Sequence, residues 1–262
     1  MASIGHIAVG LLVGRAYEAR STRERVLTMG LFGALGLSPD ADAVLVAAGS
    51  DYHGDFGHRG FSHSLLFAAT IAGVAFFIAR RWGSKPVFTS LLAFLAVASH
   101  GLMDAMTYRT RGIPFLWPLS DERFTLPWRP IPPAPFGGHF LSQRGLDVMG
   151  IEMIYFLPLT IAALAPSLPM LRRWLAPMFA RMFTTVSATV SAAVSTTAAT
   201  VVSAPVRTAA LRVSTIVVVF TLSLAFAQLV LRDSAAVAWL ESAHDQTIAV
   251  SLQQRPQFQH LR

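Results

Sequence analysis

The segment HRGFSHS, residues 58–64, places two histidines, an arginine and two serines in a row within a strongly apolar chain. Comparable residues recur at intervals: His6 near the start, Asp40 and Asp42 in SPDAD, His100 and Asp104 in ASHGLMDAMT, and Glu152 opening a later apolar stretch. His100 and Asp104 are four apart, so a helix carries them on one face. The chain contains no cysteine, which excludes disulfides and thiolate metal sites. Imidazole and carboxylate remain, and they are ligands that zinc and other first-row divalent ions accept. Such an ion activates water for hydrolysis. A carboxylate left over from the ligand set, Asp40 or Glu152, then serves as general base. Arg59 is placed to meet developing negative charge, which suits an ester or phosphoester better than a neutral sugar.

Each of these residues also has a plainer reading. Ser62 can be the N-cap of the helix that follows, with His58 and Arg59 as solvated loop residues. His100 and Asp104 can form a hydrogen-bonded pair between helices, His6 can be structural or interfacial, and Asp40 with Asp42 can cap a helix end. Asp51, His53 and Asp55 in SDYHGDFG read as a solvated connector. His139 has no partner at a telling spacing, and Arg129 reads as a lipid-headgroup anchor. Arg123 can bind a phosphate or anchor its loop to headgroups. It is the conjunction of the acids and imidazoles that stands out.

The elements that must position them are membrane helices. The chain is 53% hydrophobic and only 13% charged, with a mean hydropathy of +0.53, whereas soluble domains average roughly a quarter charged residues. Apolar stretches lie at 4–13, 26–49, 61–79, 87–106, 151–164 and 213–231. A span takes roughly 20 apolar residues; the third, fourth and last stretches reach that comfortably, the first is short, and the second is interrupted at Pro39–Asp42. The expectation is an all-α, polytopic membrane protein with about four to six membrane helices. The N-terminus lacks a basic region and a cleavage site, so it reads as a retained helix. Between residues 108 and 144 a Pro-, Trp- and Arg-rich segment reads as an interfacial loop packed over the bundle. Residues 171–212 form a low-complexity Ala/Ser/Thr/Val tract or linker, 213–231 a C-terminal membrane helix and 232–262 a polar tail.

The formal net charge of +7 is nearly all arginine. In such a chain this charge marks cytoplasmic loops and anionic headgroups, so the expected partner is the lipid bilayer and not nucleic acid. Arg15, Arg20, Arg23 and Arg25 follow the first stretch, Arg80, Arg81 and Lys85 the third, and Arg172, Arg173 and Arg181 the fifth. Alternation across the bilayer puts all three clusters on one side, the cytoplasmic one. His6, the aspartates, HRGFSHS and the His100–Asp104 end of the fourth stretch then share the opposite side. Ionisable groups at membrane depth are costly and usually face the protein interior, where they pair or bind ligands. Arg109, Arg111, Arg123, Arg129 and Arg144 break the charge rule by falling on that same outer side.

PDAD, HRGFSHS, SHGLMDAMT and LWPLSDERFTLPWRPIP, in that order, resemble the YdjM-type family of bacterial membrane-bound, metal-dependent hydrolases. The resemblance covers about residues 1–160. Ser62 stands where that family's pattern usually has Thr, which keeps the hydroxyl. The resemblance implies an inner-membrane protein with a divalent metal, zinc foremost, as one or two ions; the membrane-embedded core is expected at 1–170. Its motif positions fall on His6, Asp40, Asp42, His58, His63, His100 and Asp104. Apart from the resemblance, Arg59 and Arg123 are the candidates for contact with substrate, and a site at the lipid interface suggests a lipid or other amphiphile. The rival expectation is a transporter or proton relay using the same cluster, against which stands the lack of an internal repeat. A third is a scaffold with a closed structural metal site.

Overall fold

The structure, a computed structural model, describes residues 3–164. Among the described residues there are six α-helices: α1 (Ile4–Arg15), α2 (Thr22–Leu37), α3 (Asp42–Ala47), α4 (Leu65–Arg81), α5 (Pro86–Ala105) and α6 (Gln143–Leu164). The described residues hold no strand, only two isolated bridges, Thr107 with Ile131 and Ile113 with Phe124. The all-α expectation is met. The stretches at 171–212, 213–231 and 232–262 lie outside the described residues.

α1 and α2 form a hairpin whose closeness comes from small residues. A Cβ on Gly14 would stand 2.8 Å from the Met29 Cα, and one on Gly36 would stand 2.7 Å from the His6 carbonyl oxygen. Backbones can meet this closely only where side chains are missing, the device that packs helices in lipid. Ser21 starts α2 by accepting the Glu24 N–H at 3.1 Å. Pro39 then interrupts the helix, as expected, with a 3-10 turn at Ser38–Ala41 before α3 resumes. α4 and α5 make a second hairpin, and α6 packs on α1. Met29, Phe32, Leu92, Met103, Phe156 and Leu159 fill the space between α1, α2, α5 and α6.

Two helical runs, Thr22–Ala47 and Pro86–Ala105, are long and apolar enough to cross a membrane. The third apolar stretch departs from expectation. Phe61–His63 is a 3-10 turn, and α4 has 17 residues, short of the roughly 20 that a span takes. Leu27, Leu31, Val74, Phe77 and Val87 are each more than half exposed. Apolar surface on this scale suits a face that meets hydrocarbon.

The segment between α5 and α6 folds back over the end of the bundle where α5 finishes. Ile113 and Phe124 exchange backbone hydrogen bonds at 2.9 Å, Leu126 donates to the Ala105 carbonyl at 3.0 Å, and Leu65 donates to the Phe115 carbonyl at 3.0 Å. Ile113 and Ile131 are fully buried beneath it.

Candidate metal centre

Asp42 is the first residue of α3 and is buried. Its Oδ1 stands 3.1 Å from the His58 Nδ1, while Oδ2 accepts the Arg59 backbone N–H and the Ser62 hydroxyl, both at 3.0 Å. One carboxylate thus pins the 58–62 turn to α3. Arg59 has φ of +63°, a left-handed conformation that costs a non-glycine residue roughly 1–2 kcal/mol, and the bond from its N–H to Asp42 holds it there.

That turn fixes a proton. The Ser62 hydroxyl has given its hydrogen to Asp42, so toward the His63 Nδ1, 2.9 Å away, it acts as acceptor. Asp42 Oδ2 stands 3.4 Å from the same nitrogen. Nδ1 therefore carries the proton, and Nε2 presents a bare lone pair. The expectation that Ser62 caps the following helix is corrected here. Ser64 is the cap, accepting the Phe67 N–H at 3.1 Å, which leaves Ser62 to orient His63. Burial pushes the His63 imidazole below its usual pKa, favouring the neutral form that metals bind.

On α5, the His100 Nδ1 lies 2.8 Å from the Gly36 carbonyl oxygen. A carbonyl only accepts, so this nitrogen also carries a proton, and in the neutral ring Nε2 is bare. The two Nε2 atoms are 3.1 Å apart. Around them stand Asp104 Oδ2, at 3.4 Å from His63 and 3.9 Å from His100, and Asp40 Oδ1, at 3.9 Å and 3.4 Å from the same two nitrogens. Lone pairs and carboxylate oxygens gathered in a buried space are satisfied by a cation or a shared proton among them. Donors about 2.1 Å from a common tetrahedral centre stand about 3.4 Å from one another, so these spacings suit a metal ion. Gly101 allows the approach, because a Cβ there would lie 2.9 Å from the His63 carbonyl oxygen.

His6 completes the inner group. Its ring stacks on His100 with centroids 3.5 Å apart and planes 11° from parallel. It is fully buried, Nε2 is 3.8 Å from Asp104 Oδ1, and neither ring nitrogen has a hydrogen-bond partner. A buried imidazole without a partner is costly, and a ligand removes the cost. Three donor triplets have atoms within 4.8 Å of one another: His6–Asp40–His100, His63–His100–Asp104 and Asp40–Asp42–His58. In the last, the Asp42 oxygens already accept hydrogen bonds, so the inner two suit an ion better. Oxygen and imidazole donors without sulfur fit zinc or another first-row divalent ion.

Arg59 bridges this group to a cavity. Its Nη2 donates to Asp104 Oδ1 at 2.9 Å, and it lines, with Asp40, His58 and Arg123, a cavity of about 580 Å³. Among the three aspartates, Asp40 has a side chain 22% exposed, against 0% for Asp42 and 1% for Asp104. Asp40 is therefore the carboxylate that faces the opening. Arg123 donates from Nη1 to the carbonyls of Arg59 at 3.0 Å and Gly112 at 3.3 Å.

The structure thus brings together His6, Asp40, His63, His100 and Asp104, with Asp42, His58, Arg59 and Arg123 around them. It does not bring Glu152 to the cavity. α6 begins at Gln143, so Glu152 lies inside that helix and not at its start. Its buried Oε2 is 3.5 Å from the Gly5 N–H, a negative charge against the first turn of α1, where the helix dipole favours it. Asp51 and Asp55 are exposed in the connecting loop, and His53 reaches the cavity rim. Side-chain chemistry alone passes over Gly36 and Gly101; the spacing of small residues in GLLVG and GALG was the available signal for the close helix contact.

A sequence model of the YdjM inner membrane protein family matches residues 1–234. The chain belongs to that family. Inner membrane protein YbcI of Escherichia coli strain K12 is 42% identical over 155 residues, which are 58% of this chain and 88% of the relative. No solved structure matches. The motif resemblance ends near residue 160, whereas the family match continues to 234 and takes in the Ala/Ser/Thr/Val tract and the last apolar stretch. Membership makes this a protein of the bacterial inner membrane.

Proposed function

We propose that the chain is a membrane-bound, metal-dependent hydrolase acting on an ester or phosphoester at the non-cytoplasmic face of the inner membrane. The observation that carries this reading is the pair of facing Nε2 atoms of His63 and His100, 3.1 Å apart and flanked by Asp40 and Asp104. Their outer nitrogens are committed to Ser62 and the Gly36 carbonyl, which is how proteins orient metal-binding imidazoles. His63, His100 and Asp104 hold the ion, zinc foremost, and His6 is a further donor. Bound there, a divalent ion brings the pKa of water from about 15.7 to near 7. Asp40, open to the cavity, takes the proton of the attacking water. Arg59 stabilises the negative charge that develops as the bond to the leaving oxygen breaks.

Orientation follows from charge. Arg15, Arg20, Arg23 and Arg25 lie around the α1–α2 turn and Arg80, Arg81 and Lys85 around the α4–α5 turn, at the end of the bundle away from the cluster. The positive-inside rule makes that end cytoplasmic. We read the whole chain as polytopic, with about four to six spans.

A proton or cation relay is the second reading, because a shared proton also satisfies two facing Nε2 atoms. Metal analysis of detergent-purified protein, prepared with zinc in the growth medium, separates the two. The hydrolase reading expects stoichiometric metal that is lost in both His63→Ala and His100→Ala. Wild-type protein that carries no metal and takes up none would overturn it and leave the relay.

A further inference from the structure

We propose that the cavity beside the cluster binds the phosphate group of an amphiphile, a phosphate ester carried on an apolar tail. For its chemistry this rests on the hydrolase reading; for binding it stands on the cavity itself.

Four arginines line the cavity, Arg59, Arg109, Arg111 and Arg123, and Asp40 is the one carboxylate among the lining residues; Arg59 is also paired with Asp104 at 2.9 Å. Three of them, Arg109, Arg111 and Arg123, are among the residues that break the charge rule. Topology does not account for positive charge at that end of the bundle, but an anionic ligand does. Their arrangement is built and not incidental. Arg59 and Arg109, with φ of +63° and +55°, are the non-glycine residues with positive φ among the described residues, and both line this cavity. Strain of that kind persists only where its surroundings enforce it, and it gathers at ligand sites. Carbonyls fix the Arg123 guanidinium without cancelling its charge. Burial, and then the neighbouring charge of Arg111, push the Arg123 pKa down, with Asp55 and Asp121 opposing. The Arg59 Nε is buried and has no hydrogen-bond partner.

Guanidinium groups match phosphate oxygens in geometry and charge. A neutral carboxylic ester offers these cations nothing comparable. The cavity lining also has an apolar part. Pro133, Pro135, Phe136 and Phe140 line it, and Phe136 packs on Tyr52 at 5.0 Å and on His58 at 4.7 Å between ring centroids. Arginines and apolar side chains lining one cavity, in a protein of the inner membrane, fit a phosphate headgroup with the start of its tail. The phosphate would meet Arg59 next to Asp104 and Asp40, beside the donor cluster.

The test is calorimetric titration of the full-length protein in dodecyl maltoside with three probes: dioctanoyl phosphatidate, dioctanoylglycerol and inorganic phosphate. Phosphatidate is expected to bind, dioctanoylglycerol not to bind, and inorganic phosphate to bind at least about tenfold more weakly for want of the apolar contacts. Arg111→Gln and Arg123→Gln should each weaken phosphatidate by about tenfold or more and leave bound metal unchanged. Arg111 is exposed, so its variant keeps the fold. Equal binding of dioctanoylglycerol and phosphatidate, or of both variants and wild type, would overturn the assignment. Inorganic phosphate binding as tightly as phosphatidate would overturn the amphiphile. Phosphatidate binding that depends on the arginines in a protein that takes up no metal supports the cavity while removing the hydrolase reading.

Discussion

Ser62→Ala separates a residue that orients a metal ligand from one that only packs. The hydroxyl is buried, donates to Asp42 at 3.0 Å and accepts from the His63 Nδ1 at 2.9 Å. Without it, the Nδ1–H has only Asp42 Oδ2 to turn to, at 3.4 Å. To restore a 3.0 Å bond the ring must move about 0.4 Å (3.4 less 3.0) toward Asp42. That movement draws Nε2 away from His100 and Asp104. Loss of such a supporting hydrogen bond costs about 10- to 100-fold in metal affinity, or about 1.4–2.7 kcal/mol. Competition for zinc against a chromophoric chelator, in purified protein, measures this directly. Ser62→Thr keeps the hydroxyl and should bind zinc as wild type does. A Ser62→Ala protein whose zinc affinity lies within about twofold of wild type would refute the orienting role, since experimental scatter alone spans that range.

Gly101→Ala should weaken zinc binding by about tenfold, because a Cβ 2.9 Å from the His63 carbonyl displaces the turn carrying that ligand. The gain in helix propensity, about 1 kcal/mol, offsets part of the packing cost, so affinity should fall further than thermal stability; parallel losses would contradict the geometry. Val74→Asp combined with Phe77→Asp puts two charges on the exposed apolar face of α4, at about 2.5–3.5 kcal/mol each on an insertion scale. Fractionation should show loss of the protein from the membrane, and normal integration would mean that this face does not meet lipid. The chain has no cysteine, so Ser84→Cys and Glu122→Cys can be labelled one at a time in intact cells with an impermeant maleimide. Glu122→Cys should label and Ser84→Cys should not; the reverse pattern would invert the orientation.

Much of the site was legible because its chemistry lies in side chains that lipid does not tolerate unpaired. His100 and Asp104 at helical spacing, and acids beside a proline break, indicate a polar interior at one end of a bundle before any fold is known. Which serine caps and which orients could not be read, since Ser62 and Ser64 are both good caps and only the 3-10 turn at Phe61–His63 separates their tasks. Glu152 was misplaced because apolar content marks the start of a helix poorly. QRGLDVMG, the first turns of α6, carries charged residues that a hydropathy reading leaves in the loop. Arg109 and Arg111 registered only as exceptions to a topology rule, because a cavity between a turn and a distant loop has no signature in local sequence.

Gly36 serves the site twice. Its missing side chain lets α1 come close enough to bring His6 over His100, and its carbonyl fixes which His100 nitrogen carries the proton. Helix spacing and the direction of one lone pair are therefore a single mechanical variable. A shift of α1 along α2 cannot occur without disturbing the stack of imidazoles, and a tilt of α2 turns the proton-bearing edge of His100 with it. The bundle and its chemistry share one degree of freedom, set by a residue that has no side chain.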